Sequence, residues 1–166
     1  MRFVFLLIFF LSIYILYKGL DKDPSTIPSN LISKQIPEFS VKTFYNENLS
    51  NFDLSNEVIM VNFFATWCPP CRAEHPQLES LSSDIPIYGI AKKDEIKELS
   101  VWLKKLGNPY RKIGLDFSGL TSISWGVYGL PETFIIDKDG FIRYKHLGPI
   151  MKNDLKKIRN IINELE

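Results

Sequence analysis

The stretch 58–71, Val-Ile-Met-Val-Asn-Phe-Phe-Ala-Thr-Trp-Cys-Pro-Pro-Cys, decides how this chain folds. Residues 58–64 read as a buried strand, and the run after Pro69 reads as a helix. Between them stands Trp67-Cys68-Pro69-Pro70-Cys71, which holds both cysteines of the protein. A Cys-x-x-Cys pair that ends an apolar strand and opens a helix is the pattern of a dithiol redox centre. Two plainer readings compete with it. As a structural staple the pair would close only a very short loop, so by chain entropy it would stabilise little. A closed zinc site needs four ligands, and beyond this pair the chain offers only His75 and His146 as soft or imidazole donors. Arg72 follows Cys71, which removes the haem-attachment pattern Cys-x-x-Cys-His.

The N-terminus bears on where such chemistry takes place. From 3 to 17 only Ser12 is polar, and Arg2 and Lys18 flank the run. Extended over 1–20, a helix can roughly span a bilayer at 1.5 Å per residue, at the short end of the range. Gly19-Leu20-Asp21-Lys22-Asp23-Pro24 offers no small-x-small cleavage site, so an uncleaved signal anchor is favoured over a removed leader. Arg2 on one side and Lys18 and Lys22 on the other leave the orientation open. Residues 21–34 carry Pro24, Ser25, Pro28, Ser29 and Asn30 and read as a flexible tether. Residues 35–166 are then one domain, long enough for a real core. The hydrophobic fraction of 45% fits that, and a net charge of +1 gives no reason to expect nucleic acid or other polyanions.

Within 35–166, strand and helix patterns alternate. Strands are expected over 39–44, 58–64, 85–91 and 111–115, with a hairpin of 133–136 and 141–146 around Asp139-Gly140. A helix is expected over 69–82, with Pro76 inside it as a kink. A second begins at Asp94 and Glu95, carries Ile96, Leu99, Leu103 and Leu106 at helical spacing, and stops at Gly107-Asn108-Pro109. A C-terminal helix carries Leu155, Ile158, Ile161, Ile162 and Leu165. The sum is an α/β, thioredoxin-like fold: a mixed central sheet flanked by helices, preceded by one N-terminal transmembrane helix.

Two segments make the resemblance specific. Trp-Cys-Pro-Pro-Cys-Arg-Ala-Glu-His-Pro at 67–76 and Gly-Val-Tyr-Gly-Leu-Pro-Glu-Thr-Phe at 126–134 resemble the DsbE/CcmG family. Those are membrane-anchored thiol:disulfide interchange proteins of cytochrome c biogenesis. The cysteine motif alone would reach only the thioredoxin superfamily; the second segment narrows it. The resemblance implies a bacterial inner-membrane protein with a single span and its domain in the periplasm. It also implies a reductant of apocytochrome c or of a maturation protein, re-reduced by a membrane electron donor of the DsbD/CcdA type.

The local chemistry can be sketched beside that resemblance. Cys68 precedes the helix, where free amides and the helix dipole favour a thiolate, so it is the expected nucleophile. Cys71, one turn on, faces the interior and resolves the mixed disulfide. Pro69 and Pro70 stiffen the loop, and Trp67 is read as contact surface rather than core. By resemblance, Pro131 matches a cis-proline loop against the cysteines, where the Leu130 backbone can pair with an extended substrate. Also by resemblance, the 126–129 insert, with Tyr128, contributes a partner groove. The superfamily's buried acid position is filled here by Asn62, and Glu74, on the helical face of Cys71, is the expected substitute. Glu132 would be a second acidic group near the sulfurs. His75 is read as a surface or capping residue, His146 as unpartnered, and Lys92-Lys93 as a solvated loop.

These features support a thiol:disulfide oxidoreductase whose only redox group is the Cys68-Cys71 disulfide, with no cofactor and no metal. Three alternatives share the fold. A reductant of another extracytoplasmic assembly pathway, TlpA/ResA-like, is the nearest. A disulfide-forming oxidant would need a destabilised disulfide and a strongly acidic thiol. A Cu(I) carrier would use the two thiolates, though no additional ligand is evident.

Overall fold

A computed structural model describes residues 2–20 and 31–166. Helix α1 occupies Arg2–Leu20. Among the described residues no helix is long and apolar enough to cross a membrane. The tether expected over 21–34 lies, for 21–30, outside the described residues. Residues 31–34 differ from that expectation, because they are docked on the domain. Ser33 N–H donates to Ile142 O (2.8 Å), Ile142 N–H donates to Lys34 O (2.9 Å), and Gln35 bridges to Phe141.

The main sheet is built from β3 (Ile59–Phe64), β4 (Ile87–Lys92), β5 (Lys112–Asp116), β6 (Glu132–Ile136) and β7 (Ile142–Leu147). Their spatial order is β5-β4-β3-β6-β7. The first three run parallel, and β6 and β7 are antiparallel additions, so the sheet is mixed as expected. Every residue of β3 is buried, which is what a central strand with both faces covered requires. Alternation splits its side chains between two cores. Met60 and Phe64 belong to one, together with Leu78, Leu99, Trp102 and Ile158 from the helices α2 (Pro69–Leu81), α3 (Ile96–Leu106) and α5 (Leu155–Leu165). Ile59, Val61 and Phe63 belong to the other, with Leu49, Leu54, Trp125 and Phe134. Asn62 therefore points to the α2 side, the only polar residue of the strand.

Helix α2 starts at Cys68, whose extended backbone (φ −95°, ψ 108°) makes it the N-cap, and Pro69 and Pro70 fill the first helical positions, where amide donors are not needed. The helix continues through Pro76 to Leu81. Its inward stripe is Cys71, Glu74, His75 and Leu78, the i, i+3, i+4, i+7 set. In α3, Leu99 and Trp102 are buried, whereas Ile96 is exposed. Gly107 ends α3 at φ 96°, a backbone setting that favours glycine.

Three short elements were not expected from sequence, one of them a 3-10 turn over Asn51–Asp53. The polar segment after β1 (Ser40–Lys42) contains β2 (Asn48–Ser50), which pairs antiparallel with β1 and buries Leu49. The short helix α4 (Leu120–Ser124) exists because the buried Asp116 carboxylate holds its first turn. It accepts from Ser122 N–H (2.8 Å), Ser122 Oγ (2.7 Å) and Thr121 N–H (3.3 Å).

Candidate functional site

The site forms where β3 ends and α2 begins, at the carboxyl edge of the parallel strands. Cys68 and Cys71 are joined as a disulfide. Cys68 is 4% exposed and Cys71 1%, so the oxidised pair is nearly sealed, and the expected contrast between an open and a hidden sulfur is absent in this state. The Cys71 N–H donates to Cys68 Sγ (3.2 Å). A thiolate at Cys68 would keep that donor and the positive end of α2.

Two walls flank the pair. On one side Trp67 is 59% exposed, its Nε1–H donating to Lys93 O (3.2 Å). The turn that presents it is tied down by Asp94, which accepts from Thr66 N–H and Thr66 Oγ1, both at 2.6 Å. Trp67, Arg72, Asp94 and Trp102 border a groove of about 450 Å³. On the other side the Leu130-Pro131 peptide is cis. Leu130 is half-buried against both cores, Pro131 is buried, and Tyr128 is exposed. Tyr128, Leu130, Pro131 and Gly148 line a second, apolar groove of about 230 Å³. Pro69 and Pro70, between the two cysteines in sequence, are exposed.

Glu132 is buried, and its Oε1 accepts the N–H groups of Tyr128 (2.9 Å) and Gly129 (3.1 Å). Lys145 Nζ stands 2.8 Å from its Oε2. The carboxylate thus shapes the loop and has its charge matched, a pairing that single-sequence reading did not supply.

Glu74 is fully buried one turn beyond Cys71. Its Oε1 accepts from Asn62 Nδ2 (2.9 Å) and its Oε2 from Ile150 N–H (3.0 Å). Burial raises its pKa to about 7, against the opposing pull of those two donors. Asn62 and Glu74, expected to fill one role by substitution, are direct partners. Asn62 also donates to Thr133 Oγ1 (3.0 Å) and accepts from Tyr110 Oη (3.0 Å).

The two histidines differ from expectation. His75 is buried, because position 75 belongs to the inward stripe of α2. Its Nδ1 accepts from Trp102 Nε1 (3.3 Å), its Nε2 lies 3.2 Å from Gly107 O, and burial lowers its pKa. His146 is half-buried beside Tyr144 Oη and Pro149 O, each at 3.4 Å. Among the described residues no three His, Cys, Asp or Glu side chains gather as a metal site. Asp94, Lys145 and Tyr110 carry site geometry that sequence reasoning did not assign. The signal for Asp94 was its place just after β4, at the carboxyl edge of the parallel sheet, where functional loops collect.

Residues 32–145 match the AhpC/TSA family. The thiol:disulfide interchange protein DsbE of Pseudomonas aeruginosa is 41% identical over 146 residues, covering 86% of this chain and 81% of the relative. The chain belongs to the DsbE family. The DsbE of Escherichia coli is 40% identical over 132 residues, covering 77% of this chain and 71% of that one. Among solved structures, a thiol:disulfide interchange protein of the thioredoxin family from Chlorobium tepidum superposes with a TM-score of 0.64 at 28% identity, covering 79% of this chain and 94% of the other. As a DsbE family member the chain is a thiol:disulfide oxidoreductase of thioredoxin-like fold, and its redox group is the Cys68-Cys71 pair.

Proposed function

We propose that this protein is a membrane-anchored periplasmic reductant that opens disulfides of apocytochrome c, or of a maturation partner holding it, before haem ligation. The observation that carries the reading is the buried Glu74 carboxyl, one turn from Cys71 and poised near pH 7. An inward thiol must lose its proton inside the protein to resolve a mixed disulfide, and Glu74 is the buried base on its helical face.

The cycle balances with these residues alone. The Cys68 thiolate attacks one sulfur of the substrate disulfide, forming a mixed disulfide and releasing the other substrate sulfur as a thiolate that takes a proton. Cys71 S–H then gives its proton to the Glu74 carboxylate. The new thiolate attacks Cys68 Sγ, closing Cys68-Cys71 and releasing the second substrate sulfur, which recovers the proton. Two electrons leave the dithiol, and a membrane donor of the DsbD/CcdA type returns them. Trp67, Tyr128 and the two prolines offer the docking surface, and the backbone of Leu130 beside cis-Pro131 offers strand pairing to the substrate. Glu132 fixes the loop that presents them.

The anchor reading rests on α1. Its nineteen residues rise about 28 Å at 1.5 Å each, short of the roughly 30 Å hydrocarbon core, so the anchor reading depends on its apolar surface and not on a demonstrated span. Its apolar side chains from Phe3 to Tyr17 are exposed all round, a surface that lipid would cover. Such an anchor would hold the domain close to membrane-bound partners at high effective concentration.

The test is the reduction potential of the full chain in detergent, equilibrated against defined thiol/disulfide buffers, followed by substrate trapping with Cys71→Ser. A value well below about −200 mV and a trapped c-type apocytochrome or maturation protein support the reading. A value near about −120 mV would reverse the direction of electron flow.

A further inference from the structure

Tyr110 has no part in the cycle above, yet the sheet is shaped to receive it. It lies between α3 and β5, and its ring stacks on Phe64 at 4.7 Å between centroids and 16° between planes. Its hydroxyl reaches Asn62 Oδ1 at 3.0 Å. In the sheet register Asn62 faces Gly89 of β4 on one side and Thr133 of β6 on the other. A methyl group at Gly89 would lie 2.9 Å from both Tyr110 Cδ1 and Phe64 Cε1. The missing side chain at 89 is therefore the space through which the tyrosine crosses β4 to reach β3. Asn108 Oδ1, which accepts the Tyr110 N–H (3.1 Å), and the Arg111 N–H, which donates to Ile87 O (2.7 Å), fix the backbone on either side.

The contact has a direction. An amide oxygen only accepts, so at Asn62 Oδ1 the tyrosine must donate. The Glu74 carboxylate, which only accepts, draws Nδ2 to its Oε1 and so sets this orientation, with Thr133 Oγ1 as the second acceptor and Oδ1 left for the phenol to hold by donating. The alternative amide orientation would set a carbonyl against the carboxyl, which only a protonated Glu74 could satisfy. Burial keeps the Tyr110 phenol far above its ordinary range, so it retains its proton.

We infer that Tyr110 is a positioning residue for thiol exchange: by donating to Asn62 it fixes the amide whose N–H holds the Glu74 carboxylate ready to take the Cys71 proton. This rests on the reading of Glu74 given above. The other titratable groups on the α2 side of the sheet are Cys71, His75 and Glu79 of the same helix and His146, which pairs with Thr133 across β6 and β7, whereas Glu132 and Lys145 face the opposite core with Phe134. None of them hydrogen-bonds to Asn62.

The test is single-turnover reduction of a peptide disulfide by the full-length reduced protein, followed by tryptophan fluorescence across a pH series. Glu74→Gln is run beside Tyr110→Phe, which deletes one oxygen, and Gly89→Ala, which crowds the ring and keeps the hydroxyl. The intact protein should gain rate through an inflection near pH 7, and Glu74→Gln should abolish it. Tyr110→Phe should move the inflection up by about half to one pH unit, with the plateau at high pH kept within about twofold, because a carboxylate that loses a donor protonates more readily. Gly89→Ala should move it the same way. A purely structural loss would lower the plateau and leave the inflection in place. Should a variant unfold, the carboxyl resonance of Glu74 in the other, titrated by carbon NMR, reads the same shift. If Glu74→Gln abolishes the inflection while both other variants leave it unmoved, the role of Tyr110 is overturned and that of Glu74 stands. If the inflection survives Glu74→Gln, both are overturned.

Discussion

Lys145 Nζ sits 2.8 Å from Glu132 Oε2, and the two side chains are 5% and 3% exposed. The pair lies in the hairpin that follows the cis Leu130-Pro131 bond, and through Glu132 Oε1 it holds the Tyr128-Gly129 loop. Lys145 also donates to Gly126 O (2.8 Å), so one ammonium braces both ends of the insert.

Breaking this pair on one side should be worse than removing it. Lys145→Met leaves a buried carboxylate without its cation, and a loss of about 3–5 kcal/mol is expected by urea unfolding. Adding Glu132→Gln to that variant should restore a large part of the loss. If the double variant is no better than the single one, the pairing is not what Lys145 contributes.

The raised Glu74 pKa makes folding stability depend on pH. A carboxyl whose folded pKa lies above its unfolded value binds its proton more tightly when folded. Its contribution is full below about 4.5 and is lost as pH rises through about 7. The change is about 3 kcal/mol at 1.36 kcal/mol per unit. His75, buried neutral, works in the opposite sense, losing stability as pH falls below its ordinary range near 6.5. The two partly cancel in the whole protein, so the clean readout is a difference. Stability of Glu74→Gln minus that of the intact protein should grow between pH 4.5 and 7 in unfolding curves of the oxidised chain. A flat difference would mean that Glu74 titrates normally.

Much of this was legible in the sequence, and the exceptions share a cause. The central strand, the redox pair and the helix after it follow from local pattern, because apolar alternation and Cys-x-x-Cys are near-neighbour signals. The same stripe that places Glu74 inward, 71-74-75-78, also placed His75 inward; reading the histidine alone, as a polar residue on a helix, missed that. Partners brought together by the sheet were invisible. Asn62 meets Tyr110 across 48 residues, Thr66 meets Asp94 across 28, and Glu132 meets Lys145 only through the strand register. β2 was missed because its Asn and Ser argue for a loop, and only Leu49, buried on the second core, pays for its pairing with β1.

Asp94 should matter more than its loop position suggests. Its carboxylate takes three donors, Thr66 N–H, Thr66 Oγ1 and Glu95 N–H (3.0 Å), while nearly buried. Asp94→Ala strands a backbone N–H at the turn before Trp67, and a loss of about 1–3 kcal/mol follows from one unsatisfied donor. The loosened turn should also slow exchange with a folded protein disulfide. Equal stability of Asp94→Ala and the intact chain in urea would show that solvent replaces these bonds freely.

Trp67 separates docking from chemistry. Its ring is 59% exposed and its one hydrogen bond, to Lys93 O, is at the surface, so Trp67→Ala should change stability by less than about 1 kcal/mol. An exposed aromatic beside the nucleophile has the character of an interface anchor, and truncating such anchors costs about 2 kcal/mol or more of binding, roughly thirtyfold. The second-order rate with a protein disulfide should therefore fall by about that factor. With a small disulfide such as oxidised dithiothreitol, which is too small to span the groove wall, the rate should hold within about twofold. The ratio of the two rates, taken on the same stopped-flow instrument, is the quantity to compare. Equal losses with both substrates would place Trp67 in the chemistry at Cys68 instead of in the grip on the partner.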